Sequence, residues 1–136
     1  MPILEDPQVE FVGEVGDAEK QTLLGGAYAA LFPIEWPEPF GLVMIEALAC
    51  GTPVIASPCG AVPEVIQDGT TGFLAGTVEQ ALQALEKIPQ LRRRACRDDF
   101  EQRFSSRAMA DGYLKIYQRL AGRNAIEPLT SLAYGA

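Results

Sequence analysis

The sequence contains no histidine in its 136 residues and only three cysteines, which are Cys50, Cys59 and Cys96. Without histidine the chain cannot form a Ser-His or Cys-His nucleophile, and the lack of a C-x-x-C pair argues against a zinc site. No apolar run approaches the roughly 18 residues of a membrane span, and the first residues do not resemble a leader peptide. We therefore expect a cytoplasmic protein without a transmembrane segment, whose chemistry uses carboxylates, backbone groups or a partner domain.

Positive charge is scarce in the first half of the chain. Residues 1–68 carry 11 acidic side chains and a single basic one, Lys20, within a net charge of −7 for the whole chain. The basic residues of the second half alternate with acids, which is typical of a solvated helix face and does not indicate a nucleic-acid partner. These basic residues are Arg92, Arg93, Arg94, Arg97, Arg103 and Arg107.

Strand and helix patterns alternate along most of the sequence. The predicted strands are 8–13, 29–33, 53–57 and 71–75. The predicted helices are 18–26 (capped by Asp17), 42–50 (closed by Gly51 in the C′ position, which favours a left-handed conformation), 61–67, 78–88 (capped by Thr77), 91–104 and 106–121. The last helix has an apolar stripe of Met109, Tyr113, Ile116, Tyr117 and Leu120. Such alternation predicts an α/β fold: a Rossmann-like, three-layer domain with a parallel sheet and a helical C-terminus. We assign residues 1–121 to this domain and residues 122–136 to a loose C-terminal tail.

The predicted helix 42–50 has one ionisable residue, Glu46, among eight apolar ones. Apolar residues all around the helix predict burial on nearly every side. An unpaired buried carboxylate costs roughly several kcal/mol, so Glu46 needs a cation, hydrogen-bond donors or a ligand. Backbone N–H groups of a neighbouring helix end would satisfy it, and so would a ligand with a vicinal diol such as ribose. The helix pattern alone leaves both interpretations open.

The loop before this helix favours a ligand. Residues 35–41 contain two prolines and end at Gly41, so they form a loop between a strand and the helix. In parallel α/β sheets, ligands bind at the carboxyl ends of the strands, which is where this loop lies. Gly41 lets the backbone approach a ligand, and the N–H groups at the helix start suit a phosphate or a sugar hydroxyl. Glu38 would stand beside this site, whereas Trp36 reads more simply as a surface anchor.

These residues carry a family resemblance. The stretch FPIEWPEPFGLVMIEALACGTPVIASPCGAVPEVIQDGTTGFL resembles the signature region of family 4 retaining glycosyltransferases, which have the two-domain GT-B fold. Their mark is the EX7E motif, two glutamates separated by seven residues, here Glu38 and Glu46 with PFG between them. The segments VEFVGEVGDAEK and RF…YLKIYQRL also match, so the resemblance extends from Val9 to Leu120.

The resemblance implies a nucleotide-diphosphate sugar as the donor substrate, a UDP-sugar or GDP-sugar above all, with no metal and no further cofactor. Glu46 would hold the ribose hydroxyls, and Glu38 would be the catalytic residue at the transferred sugar. The backbone near Val15 would contact the edge of the base. The amides that hold the sugar and the diphosphate would be those of Phe40, Gly41 and Leu42.

The resemblance covers only the last third of such enzymes. The N-terminal acceptor domain and the first strands of the C-terminal domain would be missing, together with the Arg/Lys pair that neutralises the diphosphate. One lysine among eleven acids cannot replace that pair. The chain is then either the donor-binding part of a longer enzyme or a catalytically incomplete binding module or fragment, and whether it is an enzyme by itself stays open. A G-x-G-x-x-G fingerprint or a P-loop would favour a third interpretation, an unrelated α/β nucleotide-binding protein, and neither motif is present.

The family's strand order 3-2-1-4-5-6 has a structural consequence. Strand 8–13 would be separated from strand 29–33 by two absent strands, which leaves an open apolar edge beside 29–33. We expect this edge to pair with another copy, or strand 8–13 to move into the gap, or the fold to be only marginally stable.

Overall fold

Three short parallel strands alternate with helices along residues 6–121, which are the residues that the computed structural model describes. The elements are α1 (Asp17–Gly26), β1 (Ala30–Phe32), α2 (Leu42–Ala49), β2 (Val54–Ala56), α3 (Val62–Val65), β3 (Gly72–Leu74), α4 (Val78–Lys87), a 3-10 turn (Ile88–Gln90), α5 (Arg93–Arg103) and α6 (Ser106–Leu120). The sheet order is β1-β2-β3. This confirms the predicted α/β class with its parallel sheet and helical end. The predicted tail 122–136 lies outside the described residues.

The core forms on both faces of the central strand β2, whose three residues are all buried. Val54 and Ala56 pack with residues of α2, α3 and α5, whereas Ile55 faces α4 and the 3-10 turn. Successive side chains of a strand point to opposite faces, so an unbroken apolar run requires helices on both sides. The sheet is therefore the middle layer of three, as the sequence predicts.

The prediction of a strand over residues 8–13 is wrong. This segment has no regular structure, and Val9, Phe11 and Val12 are 40%, 77% and 47% exposed. The physical reason is that a strand requires a neighbour for its backbone hydrogen bonds, and among residues 6–121 β1 pairs with β2 alone. Alternating apolar residues cannot supply that neighbour. Of the three expected outcomes, the move of 8–13 into the gap beside β1 does not occur.

The ends of the helices follow the predicted signals with one correction. Gly16, not Asp17, is the N-cap of α1, and the Gly16 N–H donates to Glu19 Oε2 at 3.0 Å. Asp17 is the first helical residue, where its charge still favours the helix N-terminus. The predicted cap Thr77 is confirmed, since its hydroxyl oxygen accepts a hydrogen bond in the first turn of α4. Gly51, after α2, adopts the predicted left-handed conformation with φ of 70°.

The arginines of α5 do not form a merely solvated face, which corrects the sequence-based expectation. Arg94 is 79% exposed and pairs with Asp98, but three other arginines donate to backbone carbonyls at the C-terminal ends of α1, α2 and α3. Helix ends leave carbonyls without intrahelical partners, and cations are favourable there. These bonds join Arg93 to Gly25 O and Ala27 O, Arg97 to Ala49 O, and Arg103 to Glu64 O and Val65 O.

The apolar stripe predicted on the last helix is exposed. Each side chain of the stripe on α6 is more than half exposed, and the Tyr113 and Tyr117 rings lie 6.1 Å apart. The stripe consists of Met109, Tyr113, Ile116, Tyr117 and Leu120. No helix within residues 6–121 has the length and apolar character needed to cross a membrane.

Candidate functional site

The loop between β1 and α2 holds Glu38 through three N–H donors. Its Oε1 accepts from the backbone N–H of Gly41 at 3.0 Å and of Phe40 at 3.5 Å, and its Oε2 accepts from Trp36 Nε1 at 3.0 Å. Gly41 is the N-cap of α2 and has φ of 78°, a left-handed conformation that glycine adopts without strain. The Glu38 carboxylate therefore already occupies the position beside these amides that an anionic ligand would take.

A second glycine fixes this loop against the loop after β2. Gly60 has φ of 56°, and a Cβ placed on it would lie 2.5 Å from Glu38 N and 2.7 Å from Pro37 C. The neighbouring Ala61 N–H donates to the Glu38 carbonyl oxygen at 2.8 Å. Only glycine permits so close an approach, so the backbone of Glu38 is held at the carboxyl ends of β1 and β2.

Helix α2 is buried on one side only, which corrects the expectation of burial all around. Met44, Ala47 and Leu48 are fully buried, but Leu42 is 65% exposed and Val43 is 40% exposed. The exposed residues lie in the first turn, which no described element covers. Within residues 6–121 the backbone N–H groups of Leu42 and Val43 have no acceptor, as expected at an uncapped helix start.

Glu46 is half-buried and paired with Lys20. Its side chain is 37% exposed, and its Oε1 accepts from Lys20 Nζ at 2.9 Å. Lys20 Nζ also lies 3.8 Å from Asp17 Oδ1. The hydrogen bond to Glu46 raises the pKa of Lys20 above its ordinary value. Glu46 is thus neither fully buried nor satisfied by backbone donors, because the one cation of the first half of the chain reaches it.

A cavity of about 230 Å³ lies between α1 and α2 beside this pair. Glu38 is not among its lining residues, so the structure places the two glutamates in different surroundings. Val15 is half-buried and lines a separate groove against α1, away from this cavity. The cavity is lined by Lys20, Gln21, Leu24, Glu46, Cys50 and Arg97, among others.

Two side chains of the site were not assigned to it from the sequence. Lys20 could have been paired with Glu46, since residues 1–68 offer no other cation. Trp36 gave no such signal, because its bond to Glu38 depends on the path of a loop. Within residues 6–121 no three His, Cys, Asp or Glu side chains are arranged to hold a metal ion.

A parallel α/β sheet with polar loops at the carboxyl ends of its strands is the architecture of many nucleotide-binding enzymes. Residues 5–108 match the family model of glycosyl transferases group 1. The match covers most of the sequence, and the chain belongs to this family. It is therefore not an unrelated nucleotide-binding protein.

Relatives in this family have several different substrates in their names. The chain is 39% identical over 88 residues to N-acetyl-alpha-D-glucosaminyl L-malate synthase of Bacillus anthracis, covering 59% of this chain and 23% of that protein. It is 32% identical over 120 residues to phosphatidyl-myo-inositol mannosyltransferase of Mycobacterium leprae, covering 83% and 32%. It is 38% identical over 95 residues to D-inositol 3-phosphate glycosyltransferase of Rhodococcus erythropolis, covering 63% and 21%. The chain spans a third or less of each of these relatives.

Proposed function

We propose that this chain is the donor-binding part of a family 4 retaining glycosyltransferase with the GT-B fold. It would bind the donor in a reaction that transfers a sugar from a nucleotide-diphosphate sugar, UDP- or GDP-linked, to an acceptor. Family membership and the EX7E spacing of Glu38 and Glu46 support this proposal. The observation that carries it is a half-buried carboxylate, that of Glu46, beside a cavity on an otherwise apolar helix.

Glu46 is suited to hold the ribose of the donor. Its Oε1 is bonded to Lys20, and its Oε2 has no hydrogen-bond partner among residues 6–121. The adjacent cavity of about 230 Å³ is smaller than the roughly 300–1,000 Å³ of a pocket for a whole drug-sized ligand. It therefore fits a single ring of the donor better than the complete nucleotide sugar. A carboxylate in this position accepts hydrogen bonds from the hydroxyls of a vicinal diol.

Glu38 is suited to contact the sugar that is transferred. Its carboxylate accepts hydrogen bonds from three N–H groups, and it would place negative charge near an oxocarbenium-like centre or accept a bond from a sugar hydroxyl. The N–H groups of Phe40 and Gly41 already donate to the Glu38 carboxylate, so a bound diphosphate would first accept from the N–H of Leu42. It would accept from Phe40 and Gly41 only after the Glu38 side chain had moved away. The base contact near Val15 and the absence of a metal from the chemistry stay predictions.

The rest of the enzyme would supply what this part lacks. We infer an N-terminal acceptor domain as the partner, which would carry the cations for the leaving diphosphate, and we place the protein in the cytoplasm. The domain boundary at residue 121 belongs to the same proposal. A module that binds the donor but transfers nothing is the second candidate, which the scarcity of cations in residues 1–68 favours for this chain alone.

Nucleotide-sugar binding by the isolated chain tests the donor site. We expect UDP-glucose, GDP-mannose or ADP-glucose to bind in ligand-observed NMR titrations, and Glu46→Ala to weaken that binding at least tenfold. Hydrogen bonds to a charged group contribute about 1.5–3 kcal/mol, which corresponds to a factor of ten or more. The control is Asp98→Ala, which removes another acid from an ion pair, on α5. Equal affinities in wild type and Glu46→Ala would remove the ribose role.

The open edge of the sheet supports a second copy as a further partner. β1 pairs only with β2 in the described part of the chain, and Leu31 on β1 is 60% exposed. An exposed apolar edge strand is a template for pairing with another chain. Sedimentation velocity should show concentration-dependent association that Leu31→Lys reduces. A wild-type chain that stays monomeric and highly stable at every concentration contradicts this.

A further inference from the structure

One ion pair links α1 to the site on α2. Lys20 and Glu46 are 26 residues apart in sequence, and their charged atoms lie 2.9 Å apart. The two side chains are 33% and 37% exposed, so the pair is less solvated than the Arg94–Asp98 and Arg97–Glu101 pairs on α5. Both residues line the cavity between α1 and α2.

The other charged groups around this cavity do not compete for Glu46. Arg97 donates its Nε to Glu101 and its Nη1 to the Ala49 carbonyl oxygen. Asp17 lies at 3.8 Å from Lys20 Nζ and is fully exposed. The only cation bonded to Glu46 is therefore Lys20, within the part of the chain that the structure describes. Oε1 of Glu46 is fixed, and its Oε2 has no hydrogen-bond partner among the described residues.

We propose that Lys20 is a positioning residue that orients the Glu46 carboxylate to receive the hydroxyls of the donor ribose. This inference rests on the proposed function, in which Glu46 meets that ribose. A glutamate side chain loses rotamer freedom when it binds a ligand, and a partner that fixes it beforehand removes that cost from binding. The ammonium group also offsets the repulsion between an acidic surface and the phosphates of the donor.

The test compares ribose with deoxyribose ligands in Lys20 variants. UDP, GDP and ADP and their 2′-deoxy forms are titrated, by ligand-observed NMR, into wild type, Lys20→Met, Lys20→Arg and Glu46→Ala. We expect wild type to prefer the ribose form, and Lys20→Met to lose about tenfold in affinity together with most of that preference. Lys20→Arg should restore both, because it keeps a cationic donor.

The ratio of the two affinities within one variant does not depend on the fraction of folded protein, so a merely structural role of Lys20 would leave the preference unchanged. Lys87→Met is the matched control, since Lys87 is an exposed lysine on α4 that lines no part of this cavity. Where Lys20→Met does not fold, Lys20→Gln replaces it with the same expected result.

The outcomes separate this inference from the donor site itself. Loss of the ribose preference in Glu46→Ala and Lys20→Met, with wild-type behaviour in Lys87→Met, supports it. A preference that is lost in Glu46→Ala but unchanged in Lys20→Met overturns the role of Lys20 and leaves the donor site in place. Tighter binding in Lys20→Met overturns it too, since Lys20 would then compete with the ligand. No binding to wild type, or no effect of Glu46→Ala, overturns both proposals.

Discussion

Replacing Gly60 by alanine should damage the site and the fold together. Gly60 lies in the loop after β2 with φ of 56°, and an added Cβ would lie 2.5 Å from Glu38 N and 2.7 Å from Pro37 C. Atoms of the backbone cannot move away as the end of a flexible side chain can. The loop that carries Glu38 must therefore shift, although residue 60 itself has no functional group.

The expected loss of unfolding free energy in Gly60→Ala is the sum of two separate costs. A left-handed conformation costs a residue other than glycine roughly 1–2 kcal/mol. Forcing an extra carbon into packed atoms adds about 1–3 kcal/mol, so Gly60→Ala should lose about 2–5 kcal/mol of unfolding free energy. Gly69 has φ of 75° and nothing within 4 Å of an added Cβ, so Gly69→Ala isolates the first cost. Gly76→Ala carries neither cost, since the nearest atom lies at 3.5 Å and φ is not positive.

The three variants are compared by urea and thermal unfolding followed by circular dichroism. We expect Gly76→Ala to match or slightly exceed wild type, Gly69→Ala to unfold earlier, and Gly60→Ala to unfold earliest. Each kcal/mol should lower the melting temperature by roughly 3–6 °C in a domain of this size. Gly60→Ala should also weaken nucleotide-sugar binding, whereas Gly69→Ala should not. The reasoning is refuted if Gly60→Ala and Gly69→Ala are equally stable and bind equally well.

Two further predictions concern Cys96 and Arg93. Burial raises the pKa of the Cys96 thiol to about 11, so iodoacetamide should modify the partly exposed Cys50 and Cys59 in the native protein and Cys96 only after unfolding. Because the folded state then keeps a proton that the unfolded state has lost, the unfolding free energy should fall as pH rises from about 9 to 11, and fall less in Cys96→Ala. Arg93→Met should lose about 1–3 kcal/mol in urea unfolding because it removes three hydrogen bonds from a charged donor, one of them to the buried Thr52. Arg94→Met, on an exposed ion pair, should change stability by less than about 1 kcal/mol.

The central part of the fold could be predicted because its signals are local. Predicted strands 29–33, 53–57 and 71–75 contain the observed β1, β2 and β3, since each apolar run ends at proline, glycine or polar residues. The predicted strand 8–13 failed for the opposite reason. Its alternation is equally clear, but a strand also depends on a partner strand, which no local pattern specifies.

The two acidic residues of the candidate site could be predicted from the sequence, but the residues that bind them could not. Glu46 stood out as a lone charge on an apolar helix, and Glu38 as an acid beside the helix start. Their partners, Lys20 and Trp36, follow from how α1 and the loop before α2 pack. The burial of α2 was overestimated. A helical wheel shows which residues are apolar, but it does not show whether other elements pack against them.

The direction of the helices explains where the chain's positive charge lies. α1, α2 and α3 each precede a parallel strand, so their C-terminal carbonyls collect at the amino ends of the strands, and Arg93, Arg97 and Arg103 donate to them there. The carboxyl ends of the strands, where the Glu38 loop lies, receive none of these bonds. Arg93, Arg97 and Arg103 thus stabilise the helical layer through these bonds. A diphosphate at the Glu38 loop would meet the N-terminus of α2. Lys20 is already bound to Glu46 and Arg103 to Asp99, so full neutralisation would require cations from outside residues 6–121.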